Sequence, residues 1–227
     1  MDCSLREIAK MIDHSLLNPV LTDGELERGC RIALERDVAS VCIKPYYLKR
    51  CAAILAGSSV APSTVVGFPH GGHTTAVKVA EVERALADGG RELDVVVNVG
   101  KVLSEDWAYV RNDLKAMVDP AHAGGAIVKV IFENCYLQDR HKIRLSEICA
   151  ELGADFAKTS TGYGTGGSTI EDVQLLRAHL PPSVRVKAAG GVRTLDDLLA
   201  VRAAGAARVG ATRTVEILEE CRKRLGS

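Results

Sequence analysis

Aromatic residues are scarce: three Phe, five Tyr and one Trp make up 4% of the 227 residues. Stacking unpaired bases takes several exposed rings, so a single-stranded nucleic-acid platform is not expected. Net charge is also absent, with Lys+Arg and Asp+Glu both at 29. A balanced chain offers neither a polyanion nor an anionic membrane an electrostatic reason to bind. No apolar run is long enough to span a bilayer, and the opening "MDCSLREIAK" has no apolar signal core. No C-x-x-C occurs, and the seven cysteines are odd in number; they read as reduced, mostly structural thiols of a cytoplasmic protein. No G-x-G-x-x-G follows the first convincing strand, which counts against an open dinucleotide-binding sheet.

What is present is a strong alternation of elements. Hydrophobic residues at 47% supply a large core, and 26% charged residues argue against disorder. Short β-rich runs fall near 11–14, 40–44, 64–68, 92–98, 126–132, 154–160, 184–189 and 207–211, the first being the weakest. Between them lie amphipathic stretches with helix signals. Thr22 with Glu25, and Ser168 with Glu171, read as capping boxes. Pro45 suits a first helical position, and Gly89-Gly90 and Gly153 read as helix stops. Arg222-Lys223-Arg224 places positive charge at a helix C-terminus. Eight strands alternating with about eight helices predict a parallel sheet closed into an α/β (β/α)8 TIM barrel, one domain over 1–227 with a short N-terminal helix.

Side chains alternate across a strand. In "AIVKVIFEN", Val128, Val130 and Phe132 oppose Lys129, Ile131 and Glu133. In "VRVKAAGG", Val184, Val186 and Ala188 oppose Arg185, Lys187 and Ala189. In "ELDVVVN", Leu93, Val95 and Val97 oppose Asp94, Val96 and Asn98. In "SVCIK", Val41 and Ile43 oppose Ser40, Cys42 and Lys44. Lys158 shares a face with Phe156 and Ser160 in "DFAKTST". One face is small and apolar, fit to pack under helices. The other carries ionisable groups toward the strand's C-terminal end, where barrel active sites form. Lys129, Lys158 and Lys187 then enter the barrel from strands five, six and seven, with Asp94 from strand four.

Buried like charges must be paired or neutralised. A lone lysine here reads most simply as a salt bridge to Asp94 or Glu133; three on adjacent strands point to chemistry. An amine attacks carbonyls only when unprotonated, its ordinary pKa is about 10.4, and desolvation or a neighbouring cation lowers it. The reaction class is Schiff-base formation on an aldehyde or ketone, and the pattern by itself leaves open which lysine is the nucleophile. Three loops, "STGYGTGG" (160–167), "AAGGVRT" (188–194) and "VGATRT" (209–214), each lead into a helix with Thr or Ser near its start. Such loops suit a phosphate, and those after strands seven and eight are the usual barrel site for one. Arg213, and less directly Arg193, can add a charge-assisted contact. The plainer reading makes these glycines turns and caps only. His70 and His73 lack a third ligand and read as a loop at the barrel mouth, with no metal. Cys42 and Cys135 read as small buried hydrophobes, and His14 as a satisfied core histidine. Tyr163 fits substrate contact and loop packing equally.

Together "DFAKTSTG", "VKAAGGVRT", "ELDVVVNVG", "MIDHSLL" and "SVCIKP" resemble the 2-deoxyribose-5-phosphate aldolases, a class I aldolase family, in order and spacing across nearly the whole chain. The resemblance implies a (β/α)8 barrel without metal or organic cofactor, which joins acetaldehyde to glyceraldehyde 3-phosphate reversibly. It assigns the Schiff base to Lys158, pKa perturbation and proton relay to Lys187, and proton exchange through water to Asp94. It places Asp13, Cys42, Lys129 and Thr159 around the substrate, and Gly162, Gly190, Gly191 and Thr212 near the phosphate. Homo-oligomers, dimers first, and nucleoside catabolism are further implications. Three features depart from the family pattern. Ala188 stands where many members have Pro. "GATRT" replaces a more usual Ser-Ser pair, bringing Arg213 to the phosphate loop. The sequence runs out at "RKRLGS" without the tyrosine some members use in proton transfer, which assigns that step to water. Rival readings are a class I aldolase with a non-phosphorylated acceptor, a metal-dependent aldolase, and a non-catalytic sugar-phosphate-binding barrel.

Overall fold

Eight parallel strands close on themselves in strict chain order. The computed structural model describes residues 3–226. The strands are β1 (Ile12–Leu16), β2 (Ser40–Ile43), β3 (Ala61–Val66), β4 (Glu92–Val96), β5 (Ile127–Ile131), β6 (Phe156–Lys158), β7 (Arg185–Ala189) and β8 (Ala206–Ala211). The helices are α1 (Leu5–Ala9), α2 (Asp23–Glu35), α3 (Leu48–Leu55), α4 (Thr75–Ala87), α5 (Val99–Leu103), α6 (Trp107–Ala123), α7 (Asp139–Leu152), α8 (Ile170–His179), α9 (Leu195–Ala203) and α10 (Thr214–Leu225). This is the expected (β/α)8 barrel, with α1 ahead of the first strand and α5 as an extra short helix after β4. None of the described helices is long and apolar enough to cross a membrane.

The strand alternation sorts side chains as a closed barrel requires. Val41, Leu93, Val95, Val128, Val130, Val186 and Ala188 point outward into the buried layer between sheet and helices. Their opposite neighbours fill the barrel interior. Local signals hold in most places. Glu25 closes the capping box at Thr22, Pro45 opens a 3-10 turn over Pro45–Tyr47, and Gly153 ends α7 in left-handed backbone (φ 68°, ψ 27°). The basic triplet Arg222, Lys223 and Arg224 lies in the last turn of α10. Ser4 with Glu7 forms a further capping box on α1.

Several boundaries differ from the sequence reading. The cap of α8 lies at Thr169, whose hydroxyl accepts from the Asp172 amide at 3.1 Å. Ser168 lies one residue too early: its hydroxyl caps no amide, and its own amide donates to the carbonyls of Ala189 and Gly190 (3.0 and 2.9 Å). Strand β1 extends to Leu16, two residues beyond expectation, since its register with β2 runs through Leu16↔Ile43. Strand β3 starts earlier and stops at Val66, where Gly67 turns to positive φ (65°). Strand β6 is regular for only three residues, although the Thr159 amide still donates to the Lys187 carbonyl (3.0 Å). Lys44 follows the alternation of β2 but lies past its end. Its ammonium donates to the carbonyls of Asn18 (3.2 Å) and Leu21 (2.9 Å), bracing the loop after β1.

Two buried polar contacts tie helices to the barrel. His14, on the outward side of β1, shares a 2.7 Å hydrogen bond with the Thr214 hydroxyl at the start of α10, and burial pushes its imidazole down to about 4. Lys78 of α4 is fully buried and donates to the Val96 carbonyl (3.1 Å) and to Asp113 of α6 (2.8 Å). Removing one member of such a pair strands a charge in a low-dielectric interior. Asp113→Ala is expected to lower unfolding free energy by about 3–5 kcal/mol, and the double change Lys78→Met with Asp113→Leu to recover most of it. Urea denaturation of the three variants decides whether the pair acts as a unit.

Candidate active site

Strand register brings the ionisable residues together. Lys158 of β6 is directly opposite Lys187 of β7, and Asp94 of β4 opposite Lys129 of β5. Paired residues on neighbouring parallel strands face the same side, so all four enter the barrel interior. Asp94 is the hub. Its Oδ2 accepts from Lys158 Nζ and from Lys187 Nζ, each at 2.7 Å. Its Oδ1 accepts from Lys129 Nζ at 2.8 Å. Asp13, from β1, closes the far side. Its Oδ2 lies 2.5 Å from Lys187 Nζ and 3.2 Å from Lys129 Nζ, ion contacts made off the hydrogen-bonding direction.

Two groups that the sequence reading did not single out complete this cluster. Glu92 Oε2 lies 2.6 Å from Lys129 Nζ. Arg208 of β8 donates to Asp13 Oδ1 at 2.6 Å and approaches Glu92 at 3.3 Å. The signal was available: Glu92 precedes Asp94 by two and shares its face, and Arg208 is the register partner of Lys187.

Proton affinities follow from this arrangement. Burial, reinforced by the Lys187 charge, holds the Lys158 amine below the ordinary lysine range despite Asp94. Burial opposes the Lys187 ammonium too, but Asp13 and Asp94 outweigh it and raise its affinity. Lys129 is raised further, burial being overcome by Asp13, Asp94 and Glu92. Asp94 and Asp13 remain well below the usual carboxylate range, because the surrounding cations outweigh burial. Burial and then Asp94 push the Cys42 thiol up, and its sulfur lies 4.0 Å from Asp94 Oδ2. That environment disfavours a thiolate.

A cavity of about 410 Å³ opens above the cluster, at the C-terminal ends of the strands. Of the three barrel lysines, only Lys158 lines it. Gly162, Gly190, Gly191 and Thr212 line it as well, along with Ser15, Thr161, Tyr163 and Arg193. Asp13, Cys42 and Lys129 do not; they are fully buried beneath its floor. Thr159 is also withdrawn, its hydroxyl accepting from the Ala189 amide (3.1 Å). Arg213 differs in placement from the glycine rim. It is exposed at the N-cap position of α10 and outside the cavity lining, because the chain past Thr212 has already turned into the helix. Arg193 is the arginine that borders the cavity. Loop hydroxyls expected near an anion are partly committed elsewhere: Thr169 and Thr194 cap their helices, and Thr214 bonds His14. The rim is left to glycine backbone, with Gly162, Gly190 and Gly191 at positive φ (88°, 78° and 96°).

Glu133 holds one side of this rim. It departs from β5 in left-handed backbone (φ 59°) and, although buried, accepts hydrogen bonds from the Thr161 amide (3.0 Å) and the Thr161 hydroxyl. It is therefore a clamp on the loop after Lys158 and takes no part in the lysine cluster. Tyr163 stands over the same loop, edge-on to Phe68 (5.4 Å between ring centres). Among the described residues, no three His, Cys, Asp or Glu side chains gather as a metal site.

Asp94→Asn removes the anion that three lysines share. Lys158 loses the one carboxylate it touches, so its folded-state pKa falls further below that of the unfolded chain, which binds more protons, and stability is lost as pH falls. The variant is expected to be destabilised by about 3 kcal/mol or more near neutral pH, with the deficit shrinking toward pH ~10. Urea midpoints across that range test the sign.

Residues 7–213 match the family model described as DeoC/LacD family aldolase. A deoxyribose-phosphate aldolase from Rhodopirellula baltica is 60% identical over 225 residues, covering 99% of this chain and 93% of that protein. The solved structure of QR15, an aldolase, superposes with a TM-score of 0.91 at 36% identity, covering 96% of this chain and 97% of the other. A tetrameric deoxyribose phosphate aldolase from Aeropyrum pernix superposes with a TM-score of 0.89 at 31% identity, covering 97% and 93%. With residues 7–213 matched by the family model and a 60%-identical relative matched over 99% of this chain, the chain belongs to the DeoC/LacD family of aldolases.

Proposed function

We propose that this aldolase reversibly cleaves 2-deoxy-D-ribose 5-phosphate to D-glyceraldehyde 3-phosphate and acetaldehyde through a Schiff base on Lys158. One observation carries the reading: Lys158 alone among the barrel lysines opens to the cavity, and it shares a carboxylate oxygen with a second buried ammonium. That setting favours a neutral amine where a carbonyl can reach it and keeps a charged amine beside it.

In the cleavage direction, the Lys158 amine attacks C1 of the open-chain sugar. Loss of water from the carbinolamine gives the iminium, with Asp94 and Lys187 passing protons through water. The iminium accepts the electron pair of the C2–C3 bond as that bond breaks and the C3 hydroxyl loses its proton, leaving C3 as the aldehyde carbon of the departing fragment. Glyceraldehyde 3-phosphate departs, and the enamine takes a proton and is hydrolysed to acetaldehyde and free amine. The phosphate lies against Gly162, Gly190, Gly191 and Thr212, with Arg193 at the rim and the uncapped start of α10 nearby. Binding energy from that remote group orients the reacting carbons. The functional form is a homo-oligomer, a reading supported by the Aeropyrum pernix relative, which is tetrameric.

Borohydride reduction in the presence of deoxyribose 5-phosphate is expected to trap an adduct on Lys158, located by peptide mass mapping. An adduct on Lys187 or Lys129 keeps the chemistry but reverses the roles, whereas saturable binding without any adduct favours a sugar-phosphate-binding barrel. Lys158→Met should lose at least about 10³-fold in kcat. Deoxyribose lacking the phosphate should lose about 10²-fold or more in kcat/KM; equal turnover of both sugars points to a non-phosphorylated acceptor.

A further inference from the structure

The barrel interior does not balance its charge. Four cationic side chains, Lys129, Lys158, Lys187 and Arg208, are in contact with three carboxylates, Asp13, Glu92 and Asp94. The groups occupy two layers. Asp94, Lys158 and Lys187 form the upper one, beneath the cavity. Glu92 and Arg208 form the lower one, joined to the upper through Lys129 and Asp13. Lys129 lies 2.6 Å from Glu92 and 2.8 Å from Asp94, and Arg208 lies 2.6 Å from Asp13. All of these side chains are at least nine-tenths withdrawn from solvent as residues, so counter-ions cannot screen them.

We propose that Glu92 and Arg208 are positioning residues that set the proton affinity of Lys158 by fixing the net charge of the closed barrel. The inference rests on Lys158 acting as the Schiff-base amine. With one cation in excess, one amine is the cheapest to discharge. Lys158 is the candidate on contacts alone, since it touches a single carboxylate whereas Lys187 touches two and Lys129 three. The lower layer makes that choice stable: Glu92 adds the third carboxylate that keeps Lys129 charged, and Arg208 keeps Asp13 anionic beneath Lys187.

The other groups facing Lys158 are few. Strand β2 contributes the Cys42 thiol, held protonated, and β3 contributes only the neutral Ser63 beside Lys129 (3.5 Å). Arg185, at the start of β7, is exposed and stacks on Phe156 (4.0 Å). Tyr163 and Arg193 stand at the cavity rim. Neither rim group is tied to the lower layer by a hydrogen bond or ion pair, so changes at Glu92 and Arg208 reach Lys158 through the buried cluster.

The sign follows directly. Glu92→Gln removes an anion, leaves the interior with a larger cationic excess, and lowers the affinity of Lys158 for its proton. Arg208→Gln removes a cation and does the opposite. A unit charge about 10 Å away across an effective dielectric of about 20 moves a pKa by about one unit. The acid limb of the pH profile of kcat/KM, which reports the free enzyme, should therefore move to lower pH by about one unit in Glu92→Gln and to higher pH by a similar amount in Arg208→Gln. The double variant, with the original net charge, should return to the unsubstituted position. The pH dependence of borohydride trapping on Lys158 should follow the same order. Lost packing alone would depress rates in both single variants without moving their inflections in opposite directions. Coincident inflections, or movement of both in one direction, overturn the proposal. Absence of a Lys158 adduct in the unsubstituted enzyme is a different result: it removes the Schiff-base reading on which the proposal stands.

Discussion

One carboxylate with three lysines on its two oxygens organises the barrel interior. Asp94 is fully buried, and each of its three ammonium neighbours is within 2.8 Å. Each buried ammonium needs such compensation, because moving one from water to a dry interior costs several kcal/mol even after relaxation. The barrel therefore holds four cations only because Asp13, Glu92 and Asp94 are threaded among them. Such a network is weak support for stability. It dictates which amine is compensated least, and that amine is the one facing the cavity.

The fold contributes register and floor. Parallel pairing puts Lys158 opposite Lys187 and Asp94 opposite Lys129 without any loop intervening. The cluster is therefore built on strands, where side chains are placed more precisely than on loops. The loops above it provide the opening. Glycine at three rim positions permits positive φ that other residues adopt only under strain. Glu133, itself in that unfavourable region, fastens Thr161 so that the loop following Lys158 keeps one shape. Strain in a non-glycine residue beside a cavity is a feature that surrounding structure must over-determine, and the two hydrogen bonds to Thr161 do so here.

Much of this was legible in the sequence. The eight strands follow from alternating runs of two- and 3.6-residue periodicity, and Lys129, Lys158, Lys187 and Asp94 were placed inside by their position in those alternations. Glu92 and Arg208 obey the same rule, but parity alone does not pair them, since their partners lie 37 and 195 residues away in sequence, at Lys129 and Asp13. Glu133 and Lys44 show the rule's limit. Both continue the parity of a strand that has already ended, so parity assigns them to the interior while the backbone carries them to loops.

The sequence by itself determined the architecture and the set of ionisable groups that it encloses, because side-chain parity and helix caps are local properties. Only the tertiary structure decided how those groups share protons and which of them meets the cavity. Proton affinity depends on distances between residues far apart in the chain, and those distances exist only once the sheet has closed. The same holds for the rim. Sequence offered Arg193 and Arg213 with the weight on Arg213, and the turn into α10 put Arg213 outside and left Arg193 at the opening.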